Sequence, residues 1–181
     1  MRSLNLCANV CIFEWGLLEP MSLSGQALIF VLIANSAPIL VRQFPYLDKW
    51  SFPLDCRLTF LDGRRLLGQS KTWRGFIAAV LATSLCAFAL QIDWCVGFIV
   101  GMLAMLGDSF SSFIKRRLAM PPSSMAIGLD QIPESLLPLV YLHFHWQLGW
   151  LTVLFLVLLF IVLELVFSII LFRLHIRKRP Y

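Results

Sequence analysis

The sequence predicts an all-α, polytopic integral membrane protein with about five transmembrane helices, an external N-terminus and a cytoplasmic C-terminus. Of its 181 residues, 59% are hydrophobic and only 14% are charged, whereas soluble domains have about 45–50% apolar and about 25% charged residues. A soluble domain of this length could not bury the excess, because it still exposes much of its surface. The basic residues, moreover, lie in three groups beside the apolar segments.

Five apolar segments are candidates for helices that cross the membrane, which takes about 20 residues each. In chain order they are Gln26–Val41, Phe76–Ile92, Trp94–Phe113, Ile132–Trp146 and Trp150–Leu171. The second and third form a hairpin around Asp93. The first is weakened by Asn35 and Pro38, and the fourth is short and carries Pro133 and Glu134 near its start. The last is the clearest, since few polar residues interrupt it.

The basic residues test this arrangement. Five spans with the N-terminus outside place 14 of the 15 Lys and Arg on one side of the membrane and leave only Arg2 on the other. The positive-inside rule makes the basic side cytoplasmic, so we expect a multi-pass protein of the cytoplasmic membrane. The same distribution accounts for the net charge of +5 without a nucleic-acid partner. Residues 1–20 are an uncertain N-terminal segment, because Met21 opens a cleaner membrane-protein sequence.

The stretch GDSFSSFIKRR, residues 107–117, places a carboxylate near the end of an apolar helix, where an ionisable group usually marks a functional site. One helical stripe carries Asp108 together with a hydroxyl and two basic groups. These are Ser112, Lys115 and Arg116. The carboxylate could hold a hard cation, while the basic groups could bind phosphate oxygens. The alternative is a helix end whose basic side chains snorkel towards water.

The stretch LDGRRLLGQSKTWRGF, residues 61–76, is a basic loop that enters a helix near Thr72. Its glycines permit tight turns, and basic groups beside a helix N-terminus favour a bound phosphate. The Walker A pattern is absent from the sequence. The alternative is a positive-inside loop that only sets the topology.

The stretch GLDQIPES, residues 128–135, places Asp130 and Glu134 four positions apart at the start of a span. These carboxylates could supply further oxygen ligands to a metal ion. The alternative is that Asp130 caps the helix while Glu134 complements the helix dipole.

Together, the three stretches resemble the CDP-archaeol synthase family and, more distantly, phosphatidate cytidylyltransferase. The family pattern has an Asn and a Pro in the first span, a DGRRLLG-like turn, KTWRG, GD, SF-KRR and a later DQ. This chain carries these motifs in the same order: Asn35, Pro38, Asp62–Gly68, Lys71–Gly75, Gly107–Asp108, Ser112–Phe113, Lys115–Arg117 and Asp130–Gln131. On this resemblance we expect residues 21–181 to form a single transmembrane nucleotidyltransferase-like domain.

The resemblance implies that a lipid phosphate attacks CTP at the cytoplasmic face, giving a CDP-lipid and pyrophosphate, with Mg²⁺ offsetting the charge of the phosphates. It implies that Asp108 and Asp130 are catalytic and bind the metal, and that Lys115 is also catalytic. The implied substrate-binding residues are Asp62, Lys71, Arg74, Ser112, Arg116, Arg117 and Glu134. The partners would be CTP, a lipid phosphate and the membrane, and a homodimer is compatible with the sequence.

This chain departs from the family pattern at two places. Gln69 and Ser70 stand where the pattern has an Asp and a Gly before Lys71, so one acidic group is missing. Pro133 replaces the second Asp of DQLD, and Glu134 could supply a carboxylate one position later.

The lipid could be phosphatidic-acid-like or unsaturated archaetidic-acid-like, because the apolar residues are generic Leu, Ile, Val and Phe. One rival function is a transferase that consumes a CDP-lipid, but that class would be expected to have several Asp on a DG-rich helix, which this sequence lacks. Another is a transporter or a non-catalytic protein that binds anionic lipid or phosphates. A transporter needs polar residues along a continuous path, whereas here they cluster at the predicted cytoplasmic ends.

A topology reporter tests the predicted orientation. We expect a reporter fused after Tyr181 to lie in the cytoplasm and one inserted near Asp93 to lie on the opposite side, because that arrangement gathers the basic loops on one face. Reporter activity in intact cells is the measurement. A cytoplasmic signal from the Asp93 position would contradict the five-span arrangement.

Overall fold

The computed structural model describes residues 22–43, 52–121, 126 and 128–173. Within these ranges the chain forms five α-helices, with no β-structure beyond two isolated bridges. The helices are α1 (Leu23–Val41), α2 (Trp73–Ala89), α3 (Trp94–Arg117), α4 (Gln131–Trp146) and α5 (Trp150–Arg173). Each predicted span overlaps one of them, so the prediction of an all-α membrane fold is confirmed. The uncertain segment 1–20 lies outside the described residues.

Three of these helices are long and apolar enough to cross a membrane, by length and composition. They are α1, α3 and the Trp150–Ile170 part of α5, which has a mean hydropathy of 3.2, the highest of the three. α2 is apolar but has only 17 residues, and α4 has 16. The number of crossings and their orientation therefore stay predictions.

Local sequence explains where the helices begin. The hydroxyl of Ser22 accepts a hydrogen bond from the N–H three residues later at the start of α1, and Thr72 does the same for α2. The carboxylate of Asp93 accepts one from the N–H two residues later and so caps α3. Such caps satisfy backbone donors that a helix leaves unpaired in its first turn. The sequence thus fixes the first residue of both helices in the α2–α3 hairpin.

α3 is the central helix, and it packs against α1, α2 and α4. Its contact with α2 is close because two glycines face that helix. A Cβ atom at Gly97 would lie 2.3 Å from the carbonyl oxygen of Thr83, and one at Gly101 would lie 2.4 Å from the Thr83 hydroxyl oxygen. Small residues at such positions let helix backbones approach each other in a membrane bundle. α5 completes the core against α1 and α4, where Phe160 is almost fully buried.

Gly97→Ala tests this packing. The added methyl group would overlap the Thr83 carbonyl oxygen and the Ala87 methyl group, and overpacking of this kind costs about 1–3 kcal/mol. We therefore expect a lower thermal unfolding temperature in detergent. Gly149→Ala is the matched control, because the nearest neighbour of its new methyl group would be the Thr152 hydroxyl at 3.6 Å. Equal stability of the two variants would contradict the close contact.

Candidate active site

A polar cavity of about 160 Å³ lies among the five helices and the loop that precedes α2. Its charged side chains come from separate parts of the fold: Arg42 after α1, Lys71 before α2, Asp108 in α3, Glu134 in α4 and Glu164 in α5. Ionisable groups inside an apolar bundle are costly and usually mark a functional site. The cavity is therefore the first candidate for one.

Asp108 forms an ion pair with Lys71 in this cavity. The ammonium nitrogen of Lys71 lies 2.5 Å from each carboxylate oxygen, and both side chains are largely buried. Charge-assisted hydrogen bonds of this kind are stronger than neutral ones. The pair joins α3 to the loop before α2, and it places a cationic and an anionic group side by side.

The second predicted metal ligand, Asp130, pairs with Lys115. The ammonium nitrogen of Lys115 lies 2.8 Å from Asp130 Oδ1, and the N–H of Ala126 donates a hydrogen bond to Oδ2. Asp130 immediately precedes α4, yet its side chain makes no capping hydrogen bond. The alternative in which Asp130 caps the helix is therefore wrong, and its carboxylate instead links the start of α4 to α3.

Glu134 is 6% exposed and lines the polar cavity. Its Oε1 atom has no hydrogen-bond partner among the described residues. The negative charge of Asp108 repels the Glu134 carboxylate, and the positive charge of Lys71 attracts it. This arrangement depends on Gly107, where a Cβ atom would lie 2.2 Å from the carbonyl oxygen of Pro133. Only glycine lets α4 come this close to α3 beside Asp108.

The cavity fits a magnesium ion by its chemistry. Among the described residues, no three His, Cys, Asp or Glu side chains converge as a complete metal cage. Mg²⁺ is commonly bound by one or two carboxylates, with waters and substrate phosphates as its other ligands. The Asp108 carboxylate and the unsatisfied oxygen of Glu134 are ligands of that kind on one cavity.

Asp55 organises the loop that carries Lys71. Its side chain is fully buried and accepts hydrogen bonds from the N–H groups of Gly68 and Arg57 and from the guanidinium of Arg65. Burial alone would raise the pKa of Asp55, but these hydrogen bonds hold that pKa below its ordinary value. The sequence prediction omitted Asp55; an acidic residue beside a basic loop was the available signal.

Asp62 and Arg117 bind each other and fasten the loop to the end of α3. Arg117 Nη1 lies 2.5 Å from Asp62 Oδ1, and the guanidinium lies over the rings of Phe60 and Phe113. Arg64 donates hydrogen bonds in return to carbonyl oxygens at the end of α3. The structure therefore gives these two predicted substrate-binding residues a contact that holds the loop.

A second cavity, of about 430 Å³, is lined by Arg64, Arg65 and Arg116. Within the described part of the chain, the buried Nε atoms of Arg65 and Arg116 have no hydrogen-bond partner. Guanidinium groups around a concave surface suit an anion such as phosphate. This arginine cavity includes residues 68 and 69 in its wall, whereas the polar cavity includes 70 and 71. The two cavities thus flank one short segment.

Comparison with known proteins identifies the family of this chain. A family model described as CarS-like, CDP-archaeol synthase, matches residues 28–181. The chain belongs to this family.

Similar members of the family are known from several archaea. The CDP-archaeol synthase of Thermofilum pendens is 37% identical over 116 residues, which cover 60% of this chain and 56% of the relative. That of Sulfurisphaera tokodaii is 42% identical over 106 residues, which cover 56% of this chain and 60% of the relative. The chain thus spans less than two thirds of the length of these relatives.

A solved structure described as an intramembrane enzyme for archaeal membrane lipids biosynthesis is also similar. It aligns with a TM-score of 0.63 and 26% identity, covering 80% of this chain and 91% of that one. The likeness supports a membrane-embedded, multi-pass fold for this CDP-archaeol synthase family member.

The predicted site residues fall into distinct places. Lys71, Asp108 and Glu134 line the polar cavity, and Lys115 and Asp130 pair with each other at the α3–α4 contact. Five others lie outside the lining of that cavity: Asp62, Arg74, Ser112, Arg116 and Arg117. Of these, Arg116 lines the arginine cavity, Ser112 is buried in α3 and Arg74 stands in the first turn of α2.

The sequence prediction missed Arg42. This side chain lines the polar cavity and donates a hydrogen bond to the carbonyl oxygen of Ser70 at 2.9 Å. A basic residue directly after the first apolar span was the available signal.

Asp55→Asn tests whether Asp55 holds the loop. The change removes the charge that Arg65 and the backbone N–H groups bind, so we expect trypsin to cleave this Arg- and Lys-rich loop faster than in the wild type. Asp93→Asn is the matched control, because Asp93 lies at the start of α3 whereas the loop contacts the end of that helix. Cleavage of Asp55→Asn at the control rate would contradict the role of Asp55.

The wild-type loop should loosen in acid for the same reason. Because the folded-state pKa of Asp55 is lowered, its stabilisation is present above the unfolded-state pKa and is lost as the pH falls through the folded-state pKa. Hydrogen exchange in the loop at acidic pH measures the loss.

Proposed function

We propose that this chain is a CTP:lipid-phosphate cytidylyltransferase, which converts a lipid phosphate into a CDP-lipid and releases pyrophosphate. The observation that carries the proposal is the pairing of Lys71 with Asp108 in a polar cavity of a membrane bundle. Binding a phosphate requires a cationic group, and binding a divalent cation requires a carboxylate. Lys71 and Asp108 supply these two groups side by side. Relatives named CDP-archaeol synthase support the same activity.

The proposed reaction brings two anions together. An oxygen of the lipid phosphate attacks the α-phosphorus of CTP, and the bond from that phosphorus to the bridging oxygen breaks, so that pyrophosphate leaves with the electron pair. Lys71 and Arg42 bind phosphate oxygens, and Asp108 and Glu134 would hold Mg²⁺, which would offset the phosphate charge. The lipid phosphate is itself the nucleophile, so the reaction needs no covalent intermediate on the protein.

The lipid would reach this cavity along an apolar groove of about 340 Å³ between the loop and α3. Its apolar side chains are Leu54, Leu58, Leu66, Leu67, Phe110 and Phe113. Leu54 and Ser109 line both the groove and the polar cavity, so one molecule can place its chain in the groove and its phosphate in the cavity. The names of the relatives favour the archaetidic-acid-like lipid, and phosphatidic acid is the alternative to test.

CTP would enter from the side of the basic loop, which the positive-inside rule makes cytoplasmic. The arginine cavity lies across the segment 68–71 from the polar cavity and would receive anionic groups of the nucleotide. A non-catalytic protein that binds anionic lipid could use the same arginines. It would have no use for the carboxylates of Asp108 and Glu134, and this difference makes Asp108 the residue to test.

Asp108→Asn keeps the size of the side chain and removes its charge. We expect CTP-dependent pyrophosphate release, measured with Mg²⁺ and either lipid phosphate, to fall by at least about 10²-fold, which is the scale of losing one electrostatic stabiliser. Lys71 loses its partner in this variant, so thermal stability in detergent is measured alongside turnover.

Asp93→Asn is the matched control and should retain both stability and turnover. Near-normal turnover in a folded Asp108→Asn variant would remove Asp108 from the reaction. Absence of turnover in the wild type with both lipids would contradict the proposed activity and favour a non-catalytic role.

A further inference from the structure

The loop before α2 contains a hairpin, residues 58–66, that has one apolar face. The N–H of Phe60 donates a hydrogen bond to the carbonyl oxygen of Arg64, and the N–H of Leu66 donates one to that of Leu58. Successive side chains of an extended segment point to opposite faces. Leu58 and Phe60 therefore share one face of the hairpin, and the exposed Thr59 between them lies on the other.

Much of the apolar face is exposed. Leu58 is 59% exposed and Phe60 is 41% exposed, although the first lines the apolar groove and the second contacts the ring of Phe113 in α3. At the turn of the hairpin, Leu61 is 97% exposed. Large exposed apolar side chains that lie together usually mark a surface that contacts a membrane or another protein.

The hairpin lies beside the end of α3, which is one of the candidate membrane spans. Phe60 packs against Phe113 near the end of the apolar part of α3, and Asp62 in the turn pairs with Arg117, the last residue of that helix. The last turn of α3 is basic, and basic side chains at the end of a spanning helix extend towards the lipid headgroups. The exposed leucines of the hairpin are therefore placed at the boundary between headgroups and acyl chains.

The surroundings of the hairpin favour lipid as its partner. Phe110 of α3 is 57% exposed and lines the same groove as Leu58, so the apolar face continues the exposed surface of a spanning helix. The hairpin region also carries a net positive charge, because it holds four arginines and two aspartates. Apolar and basic side chains on one segment are typical of binding to the surface of an anionic membrane. The charged residues are Arg57, Arg64, Arg65, Arg117, Asp55 and Asp62.

We propose that this hairpin inserts into the membrane surface at the basic end of the bundle. Leu58, Phe60 and Leu61 lie among the lipids at the headgroup boundary, and the arginines lie near the lipid phosphates. The apolar groove between the loop and α3 then opens towards lipid rather than towards water. The inference does not rest on the proposed activity, because a protein without turnover would insert the hairpin in the same way. The competing partner is a second copy of the chain, which would cover the same face in a dimer.

Spin labels on the hairpin distinguish lipid, protein and water. In the full-length chain with its native cysteines replaced by alanine, Leu58→Cys and Leu61→Cys are labelled with a nitroxide and reconstituted into vesicles of neutral and anionic phospholipid. Thr59→Cys is the matched control, since it lies next to Leu58 on the opposite face. Leu158→Cys, 55% exposed in the middle of α5, is the lipid reference.

Electron paramagnetic resonance then measures how often each label collides with oxygen, which concentrates in lipid, and with a water-soluble nickel chelate. We expect the labels at positions 58 and 61 to collide more with oxygen and less with the chelate than the label at position 59 does. Their values should shift towards those of the label at position 158.

Equal collision rates at positions 58, 59 and 61 would overturn the proposal, because both faces of the hairpin would then meet the same medium. Low collision rates with both reagents at positions 58 and 61 would also overturn it, in favour of a dimer contact. If the cysteine-free chain does not fold, photocrosslinking from benzoylphenylalanine at position 61 of the natural sequence measures the same contact. Lipid adducts in mass spectrometry are then expected, and crosslinked dimers or a lack of lipid adducts would overturn the proposal.

Discussion

The ion pair between Lys71 and Asp108 is the contact on which the site depends. It joins the loop before α2 to the central helix across 37 positions of sequence. In a bundle of low dielectric, either charge alone would be costly, whereas the pair is tolerated. The loop can present Lys71 because Asp55 holds it from within, and α3 can present Asp108 beside α4 because Gly107 leaves room for the α4 backbone. Losing either support would disturb the pair.

The helices and the central acidic residue could be predicted from the sequence. An apolar segment in a membrane must satisfy its backbone hydrogen bonds internally, and a helix does so. An acidic residue in such a run has few structural explanations. The ion-pair partners could not be predicted. A shared stripe suggested that Asp108 and Lys115 act together, yet seven residues of helix separate them by about 10 Å. Each pairs instead with a residue outside α3. Such contacts depend on how the connecting loops fold back against the helices.

The departures from the family pattern also acquire a physical meaning. Gln69, which stands where the pattern has an Asp, lines the arginine cavity. An uncharged amide there leaves the guanidinium groups of Arg64, Arg65 and Arg116 without an acidic neighbour at that position, and so keeps the local potential positive. Ser70, the next departure, accepts a hydrogen bond from Arg42 through its backbone carbonyl oxygen, a contact that does not depend on its side chain. The arginine cavity is therefore more positive with Gln69 than it would be with an Asp at that position.

The contact between Gly107 and Pro133 has a mechanical consequence. Backbone meets backbone there without an intervening side chain, and interiors packed this tightly shift between discrete arrangements rather than deforming continuously. A shift of α4 against α3 at this point would therefore bring backbone atoms into collision. The rest of the cavity lining comes from the loop and from α1, α2 and α5. Part of the cavity wall is therefore backbone in direct contact, and the loop is joined to it by contacts such as the Lys71–Asp108 pair.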